Sequence, residues 1–284
     1  METMIRFGLV GCGLHGERYL RHIVRDVSEA SVSALWRRDE QERARLAKDY
    51  DVAACASFEE LVGRDDVDAF LVTTPPGSHA RELERLLPTG KPLLVEKPFT
   101  ATLAEADALW RRHPGLDRAP LMVAQTLRFN PTLQRAKEEM ERLGRVHRIR
   151  IQQRLEPTTI AWQRDEALSG GGSVTLTGVH LFDTLRWFLG RSPDTVMASW
   201  RAVEGYPTSN LFDACFEYEG EEILCSTEIS KFSNTRSCVL EIVGTEAQLL
   251  VDYLEGTLDR IEGRERIRLA EPGNPPTLVG TVQA

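Results

Sequence analysis

The sequence has few cysteines, and it has no long apolar run. Its 284 residues include five scattered cysteines without the paired spacing of a zinc site or a disulfide framework, so no metal site is expected. No apolar run approaches the roughly 18 residues that a membrane helix needs. The first residues lack the basic segment and apolar core of a secretory signal. These absences predict a cytoplasmic protein with no membrane partner.

Positive charge is also in deficit. Lysine and arginine total 35 against 43 aspartate and glutamate residues, which gives a formal net charge of −8. A nucleic-acid-binding protein usually carries a basic surface, so no nucleic-acid partner is expected. Hydrophobic residues make up 42% and charged residues 27% of the chain, as in globular proteins. At about 150 residues per domain, the length predicts roughly two domains.

The hydrophobic pattern changes near residue 125. Before it, short apolar strands such as Ile5–Val10 and Pro92–Glu96 alternate with amphipathic helices, which is typical of a parallel sheet covered on both faces. After it, half-buried strand patterns such as Val146–Leu155 predominate, separated by turn residues. We therefore predict an α/β protein with a parallel-sheet domain over residues 1–125. An α+β domain with an open, mostly antiparallel sheet is predicted over residues 126–284.

A glycine motif lies between the first strand and the first helix. It reads Gly11-Cys12-Gly13-Leu14-His15-Gly16 and matches G-x-G-x-x-G. In such loops the first glycine allows a tight turn, the second lets the backbone approach a pyrophosphate, and the third allows close helix–strand packing. The helix N-terminus then holds the anion. The motif predicts dinucleotide binding through Gly11, Gly13, Leu14, His15 and Gly16, although glycines also mark ordinary turns.

The end of the second strand indicates which dinucleotide binds. NAD-binding loops usually have an acidic residue there, for the ribose 2′-hydroxyl. This strand ends in Trp36-Arg37-Arg38-Asp39, and a guanidinium suits a 2′-phosphate. We therefore expect NADP, bound through Arg37 and Arg38. In the alternative, Asp39 takes the ribose role and the cofactor is NAD.

Glu96-Lys97-Pro98 follows the fifth strand, at the sheet edge where open parallel sheets bind ligands. Together with the glycine loop, this tripeptide resembles the Gfo/Idh/MocA oxidoreductases. The resemblance extends over most of the chain. Its other segments are residues 68–79, residues 90–99, Arg128-Phe129-Asn130-Pro131 and residues 162–190. It implies a Rossmann domain followed by an α+β domain with an open sheet. It also implies hydride transfer between a nicotinamide and a sugar, cyclitol or similar small substrate.

The resemblance also implies roles for individual residues. Lys97 would lie beside the nicotinamide, where burial and a neighbouring positive charge would lower its pKa. His180 would accept and return the hydroxyl proton. Further cofactor contacts are implied at the ends of the fourth and fifth strands, by Thr73, Thr74, Pro75, His79 and Glu96. Candidate substrate contacts are Arg128, Trp162 and Thr177. Each has a structural alternative: His79 as a helix cap, Arg128 in an ion pair, and Trp162 in ordinary packing.

The sequence departs from the family pattern at one position. The family commonly has an aspartate four residues before the histidine, and this chain has Leu176 there. Residues four apart share a helix face, so Leu176 and His180 are expected to be neighbours. A leucine cannot orient an imidazole. The alternative function is therefore a non-catalytic dinucleotide-binding sensor or regulator. A third reading, elimination or hydrolysis through transient oxidation, has no specific residue in its favour. The family also implies a homo-dimer or homo-tetramer.

Overall fold

The computed structural model describes residues 4–203 and 211–272, and the chain divides into two compact units. The first unit runs to Ala124 and includes Ala167–Gly170. The second unit comprises Gln125–Glu166 and the chain from Gly171 onward. Residues 273–284, which end the predicted second domain, lie outside the described residues. None of the helices in the described ranges is long and apolar enough to cross a membrane.

Six parallel strands form the sheet of the first unit, in the order β3-β2-β1-β4-β5-β6. They are β1 (Ile5–Val10), β2 (Ala30–Trp36), β3 (Ala53–Ala54), β4 (Ala69–Val72), β5 (Leu93–Glu96) and β6 (Leu121–Ala124). The connecting helices are α1 (Leu14–Asp26), α2 (Glu40–Tyr50), α3 (Phe58–Val62), α4 (Pro76–Leu86) and α5 (Leu103–Arg112). Two apolar clusters, one centred on Phe70 and the other on Leu20, cover the sheet. The predicted doubly covered parallel sheet is confirmed.

The carboxyl ends of parallel strands meet at one edge of the sheet, and this determines which loops become neighbours. Strands β1, β4 and β5 are adjacent, with Val10 paired to Val72 and Val72 paired to Val95. The glycine loop after β1, the turn after β4 and Lys97 after β5 therefore lie at the same edge. Residues far apart in the sequence are brought together in this way.

Eight strands form the sheet of the second unit, in the order β14-β13-β12-β11-β7-β10-β9-β8. They are β7 (Val146–Arg154), β8 (Thr195–Arg201), β9 (Leu211–Glu217), β10 (Leu224–Ser230), β11 (Ser237–Gly244), β12 (Gln248–Asp252), β13 (Thr257–Glu262) and β14 (Glu265–Ala270). The pairs are antiparallel except β7 with β10. This confirms the predicted open, mostly antiparallel sheet.

One face of this second sheet carries the core. Helices α6 (Pro131–Glu139) and α8 (Val179–Leu189) contribute Leu133, Leu185 and other buried residues to the same apolar cluster as the inward-facing strand residues. The opposite face carries many polar side chains and a smaller number of apolar ones, among them Met197. There Arg150 and Arg154 pair with Glu228 at 3.3 and 2.6 Å. The period-two pattern of the sequence therefore separates the core face from a polar face.

Two predicted helices differ from the observed ones. The helix expected over Pro131–Leu143 ends at Glu139 and continues as a 3₁₀ turn over Met140–Leu143. The helical pattern that ends at Leu189 begins with a π-helical turn, Val174–Gly178, before α8. A short helix α7 (Glu166–Ser169) precedes it. Such π-turns are rare and are frequently found at functional sites.

Candidate functional site

The three glycines of the loop after β1 differ in their structural surroundings. Gly11 has φ +75°, and a Cβ there would overlap the Thr74 side chain. A Cβ on Gly16 would overlap Thr73 and lie 2.7 Å from the Gly11 carbonyl oxygen. Gly13 has φ −77°, and a Cβ there would meet nothing within 4 Å. The fold therefore requires glycine at positions 11 and 16, whereas position 13 leaves open space for a ligand.

The loop presents free donors and exposed side chains beside this space. Helix α1 begins after Gly13 and has no side-chain cap, so its first backbone N–H groups are available to an anion. Leu14 is 78% exposed, and His15 is exposed as well. These features are suited to a dinucleotide pyrophosphate, with an apolar contact supplied by Leu14.

The end of β2 lies against the glycine loop through Arg37. Its Nη1 donates to the Cys12 carbonyl oxygen at 2.6 Å. Arg38 is exposed. The Asp39 carboxylate accepts a hydrogen bond from the backbone N–H of Glu42 and so caps α2. Trp36 packs edge-on against the ring of Phe58. Arg37 is therefore fixed beside the loop, while Asp39 serves the helix.

The turn after β4 is bonded to the glycine loop and to a buried carboxyl group. The hydroxyl of Thr73 donates to the Gly11 carbonyl oxygen. The hydroxyl of Thr74 donates to Glu82 Oε2 at 2.5 Å. Burial raises the pKa of Glu82 to about 7, against the opposing effect of the Thr74 hydrogen bond. Pro75 then precedes α4 as its N-cap residue.

The His79 ring is fully buried between two backbone segments. Its Nδ1 lies 2.9 Å from the Pro98 carbonyl oxygen, and its Nε2 lies 2.9 Å from the Thr74 carbonyl oxygen. Burial lowers the pKa of this imidazole. Both ring nitrogens therefore contact backbone carbonyl oxygens, and His79 connects the turn after β4 to the segment after β5.

Glu96 joins the end of β5 to the glycine loop. Its Oε1 lies 2.8 Å from His15 Nε2, and its Oε2 accepts the backbone N–H of Lys97 at 3.1 Å. Burial lowers the pKa of the Lys97 amine, and the negative charge of Glu96 partly offsets this effect. The peptide bond between Lys97 and Pro98 is cis. An amine of lowered pKa thus follows directly on a residue that touches the dinucleotide loop.

Arg128, a candidate substrate contact, is in an ion pair. Its Nε and Nη2 donate to the two carboxylate oxygens of Asp183 on α8. Helix α8 also carries His180, whose carbonyl oxygen accepts the Thr184 hydroxyl at 2.8 Å. The structural alternative for Arg128 is therefore observed, and the pair ties the 3₁₀ turn Thr126–Phe129 to the helix of His180.

The other candidate residues of the second unit lie on short helical segments. His180 is half-buried in the first turn of α8, and Thr177 and Leu176 are buried in the π-turn. Trp162 is half-buried in a 3₁₀ turn. The expectation that Leu176 adjoins His180 assumed α-helical spacing. A π-turn is wider than an α-turn, so the four-residue interval does not by itself place them on one face.

Family comparisons agree with this geometry. Residues 5–124 match the model "Oxidoreductase family, NAD-binding Rossmann fold", and residues 133–250 match the "GFO/IDH/MocA C-terminal domain". Together the two matches cover most of the chain. The chain belongs to the Gfo/Idh/MocA oxidoreductase family. Its first unit is an NAD-binding Rossmann fold.

Individual relatives within the family are distant. An inositol 2-dehydrogenase of Saccharopolyspora erythraea is 28% identical over 75% of this chain and 62% of its own. A dTDP-3,4-didehydro-2,6-dideoxy-alpha-D-glucose 3-reductase of Saccharopolyspora spinosa is 33% identical over 38% of this chain and 33% of its own. The chain thus spans less than two thirds of either relative. The crystal structure of GenD2 from gentamicin A biosynthesis, in complex with NAD, has a TM-score of 0.81. It shares 23% identity, over 89% of this chain and 74% of its own.

Three residues around these family motifs were not predicted from the sequence. Tyr19 bonds Glu96, Glu82 bonds Thr74, and Asp183 bonds Arg128. Tyr19 is four residues after His15 on α1, so the shared helix face was a signal that could have been used. Glu82 gave no such signal. Asp183 is one helical turn after His180 and was noted for that position, but nothing in the sequence indicated Arg128 as its partner. The described residues contain no group of three His, Cys, Asp or Glu side chains able to hold a metal.

Proposed function

We propose that this Gfo/Idh/MocA protein is an NAD(P)-dependent oxidoreductase that transfers a hydride between a nicotinamide and a sugar, cyclitol or related small hydroxy or carbonyl substrate. The contact between His15 and Glu96 carries this proposal. It joins the dinucleotide loop to the residue that precedes Lys97. A binding loop and an amine of lowered pKa at one sheet edge are what nicotinamide-dependent proton and hydride transfer requires.

The residues of the first unit would bind and orient the dinucleotide. The glycine loop and the N-terminus of α1 would hold the pyrophosphate, with room at Gly13 for its approach. Thr73, Thr74 and Pro75 would line the same edge, while His79 and Glu96 hold the loops in place. The bound nicotinamide would supply or accept the hydride. Cofactor binding is thus assigned to the first unit.

Two side chains would handle protons. In the oxidation direction, His180 Nε2 or Nδ1 would take the substrate hydroxyl proton as the hydride leaves carbon, and in reduction it would return that proton. The Lys97 amine would hydrogen-bond the substrate oxygen and share a proton with it. Burial of Lys97 favours the neutral amine and supports a role in proton sharing. Trp162 and Thr177 would contact the substrate, together with the Arg128 donors that Asp183 does not use.

We favour NADP over NAD as the cofactor, on the basis of Arg37 and Arg38. Arg37 is held at the glycine loop, and Asp39 already caps α2. Titration of NADPH and NADH, followed by nicotinamide fluorescence, tests this preference. NADPH should bind more tightly than NADH. Arg38→Ala should reduce the ratio of the NADPH affinity to the NADH affinity by about tenfold, as expected for loss of one charge-assisted contact. Tighter binding of NADH by the unaltered protein would refute the preference.

The activity is tested by a turnover screen. Sugars, cyclitols and aldehydes are offered with NADP(H) and NAD(H), and absorbance at the nicotinamide band is followed. We expect turnover that Lys97→Ala lowers by about 100-fold or more, as for loss of a residue that assists proton transfer. Lys91→Ala is the matched control, because Lys91 bonds the Arg64 carbonyl oxygen on a surface loop. Absence of dinucleotide binding would overturn the proposal.

Leu176 favours a second candidate function, a dinucleotide-binding sensor that has lost catalysis. A buried leucine occupies the position where the family resemblance implies an aspartate. This candidate and the oxidoreductase both bind the cofactor, so only the turnover screen separates them. Dinucleotide binding at micromolar concentration without turnover of any substrate would favour the sensor. Gain of turnover in Leu176→Asp would identify the lost group.

We also propose that two or four copies associate through the polar face of the eight-stranded sheet. That face carries arginines on β7 and carboxylates on β9 and β10, so a second copy can present complementary charge. It also carries apolar side chains such as Met197. Sedimentation at increasing salt measures the assembly, and Met197→Glu should weaken it. A protein that is still monomeric at a concentration of about 50 µM would refute the proposal.

A further inference from the structure

Tyr19 lies outside the glycine loop and outside the Glu96-Lys97-Pro98 tripeptide, but it contacts a residue of each. It is on α1, and its hydroxyl donates to Glu96 Oε1 at 2.7 Å. The same carboxylate oxygen lies 2.8 Å from His15 Nε2. The two rings meet edge-to-face, with centroids 5.3 Å apart. One carboxylate oxygen of Glu96 is therefore bonded by two side chains, one from the first turn of α1 and one from the second.

The other carboxylate oxygen of Glu96 contacts Lys97. Glu96 Oε2 accepts the backbone N–H of Lys97 at 3.1 Å. Only 6% of Glu96 is exposed, so its lone pairs are satisfied mainly by these protein donors. The carboxylate thus forms a bridge from α1 to the backbone of Lys97. A single buried group therefore contacts both ends of this bridge.

Glu96 and Tyr19 each keep one ionisation state at neutral pH. Burial by itself would raise the pKa of Glu96, but His15, Lys97 and Tyr19 outweigh burial and lower it to about 2. Burial and the neighbouring Glu96 charge raise the pKa of Tyr19 above its ordinary value. Glu96 is therefore a permanent acceptor and Tyr19 a permanent donor.

We propose that Tyr19 is a positioning residue that, with His15 and Glu96, couples the dinucleotide loop to the placement of the Lys97 amine. This inference rests on the dinucleotide-dependent function proposed above. Binding of the pyrophosphate at the N-terminus of α1 would set the position of that helix. Tyr19 and His15 would carry this position to Glu96, and Glu96 would carry it to Lys97.

Electrostatics gives the expected direction of the effect. The negative charge of Glu96 favours the charged form of Lys97. A donor removed from Glu96 leaves that charge less neutralised, so it should stabilise the Lys97 ammonium more strongly. The negative charge of Glu96 also interacts with Arg18 and His79, and both residues are unchanged in the variants below. Loss of the Tyr19 hydroxyl should therefore raise the pKa of Lys97.

Tyr19→Phe is the test variant, and Tyr50→Phe is its matched control. The Tyr50 hydroxyl also bonds a carboxylate of α1, Glu17 Oε1 at 3.3 Å, but it does not contact Glu96. The chain has five lysines: Lys48, Lys91, Lys97, Lys137 and Lys231. Reductive ¹³C-methylation therefore gives few signals, and the Lys97 signal is assigned by its absence in Lys97→Ala. Its titration by NMR measures the pKa directly, with and without NADPH.

We expect the midpoint of the Lys97 titration to rise by about 0.5 pH unit or more in Tyr19→Phe and to stay unchanged in Tyr50→Phe. NADPH should shift the Lys97 signal in the unaltered protein and shift it less in Tyr19→Phe. The acid limb of the pH–rate profile should move upward by the same amount. Equal Lys97 titrations in Tyr19→Phe, Tyr50→Phe and the unaltered protein would overturn the inference.

A second pair of variants keeps the test decisive if Tyr19→Phe does not fold. His15 is 48% exposed at its side chain, so its replacement disturbs no core. His15→Ala removes a donor to Glu96 and should shift the Lys97 titration, whereas His15→Gln retains a donor and should restore it in part. Because one of the titrations is measured without cofactor, it reports on the bridge even if no dinucleotide binds. Failure of the proposed function and failure of this inference are therefore separate results.

Discussion

Arg128 and Asp183 form a bidentate ion pair, with Nε and Nη2 each 2.7 Å from a carboxylate oxygen. The two residues are 55 positions apart in the sequence. Their pairing connects the 3₁₀ turn after β6 to α8, three residues beyond His180. A role in holding the histidine helix follows, and this role competes with direct use of the guanidinium by a substrate.

This pair should contribute measurably to stability. The Arg128 side chain is 43% exposed and that of Asp183 is 15% exposed, so solvent screening limits the coupling to about 0.5–1 kcal/mol. A double-mutant cycle of Arg128→Lys and Asp183→Asn, followed by urea unfolding, measures it. The more exposed pair of Arg145 and Glu222 is the control and should show less coupling. A coupling no larger than that of the control would contradict the bidentate role.

Gly13→Ala and Gly16→Ala should have opposite consequences. At Gly13 an added methyl group has open space, so stability should change little while affinity for NADPH falls more than about tenfold, because the pyrophosphate loses its approach. At Gly16 the methyl group overlaps Thr73, and unfolding should become easier by about 1–3 kcal/mol. Thermal unfolding and NADPH titration distinguish them. Unchanged NADPH affinity in Gly13→Ala would argue against the binding loop.

Glu82→Gln should stabilise the protein increasingly as pH rises from about 4 to about 7. Burial raises the folded-state pKa of Glu82 to about 7, so folding favours the protonated carboxyl group. The stability that this group contributes is complete below the unfolded-state pKa, near 4.3, and is lost as pH rises through about 7. Glutamine mimics the protonated form. The variant should match the unaltered protein at pH 4 and exceed it by on the order of 3 kcal/mol at pH 8.

Urea unfolding at several pH values measures this difference, with the exposed Glu138→Gln as control. The control should not gain stability between pH 4 and pH 8. A constant difference for Glu82→Gln across this interval would show that the pKa of Glu82 is the same in the folded and unfolded states, contrary to its burial.

Asn130 should be among the most sensitive polar positions of the second unit. Its Oδ1 accepts the backbone N–H groups of Thr132 and Leu133, and its Nδ2 donates to the Tyr253 carbonyl oxygen. Only 2% of the residue is exposed. Asn130→Ala removes the helix cap and leaves buried groups unsatisfied, so the free energy of unfolding should fall by about 2–4 kcal/mol.

Asn130→Asp separates the two contributions. Aspartate keeps the cap of α6, but its carboxylate faces the Tyr253 carbonyl oxygen, so stability should fall at neutral pH and recover in acid as the carboxyl group protonates. Urea unfolding of both variants checks this order. A loss of less than about 1 kcal/mol in Asn130→Ala would mean that water replaces the lost contacts.

The amino-acid sequence was enough to predict the strands, the helices and the loops that bear the candidate site residues. Apolar runs and glycine spacing sufficed for the parallel sheet, the glycine loop after Val10 and the position of Lys97 after β5, because these depend on local periodicity and on turn geometry. It also indicated a helix for His180. It did not indicate the π-turn before His180, because no pattern of residue types distinguishes a π-turn from an α-turn in advance.

The bonding partners of the polar side chains depend on tertiary contacts. Glu96 meets His15 and Tyr19 across 81 and 77 positions, and Arg128 meets Asp183 across 55. These partners are chosen by strand order and helix packing, and a single sequence does not encode them as a spacing. The same holds for the raised pKa of Glu82, which comes from burial rather than from its neighbours in the chain. Local periodicity therefore determines the elements, while burial and long-range contact determine their chemistry.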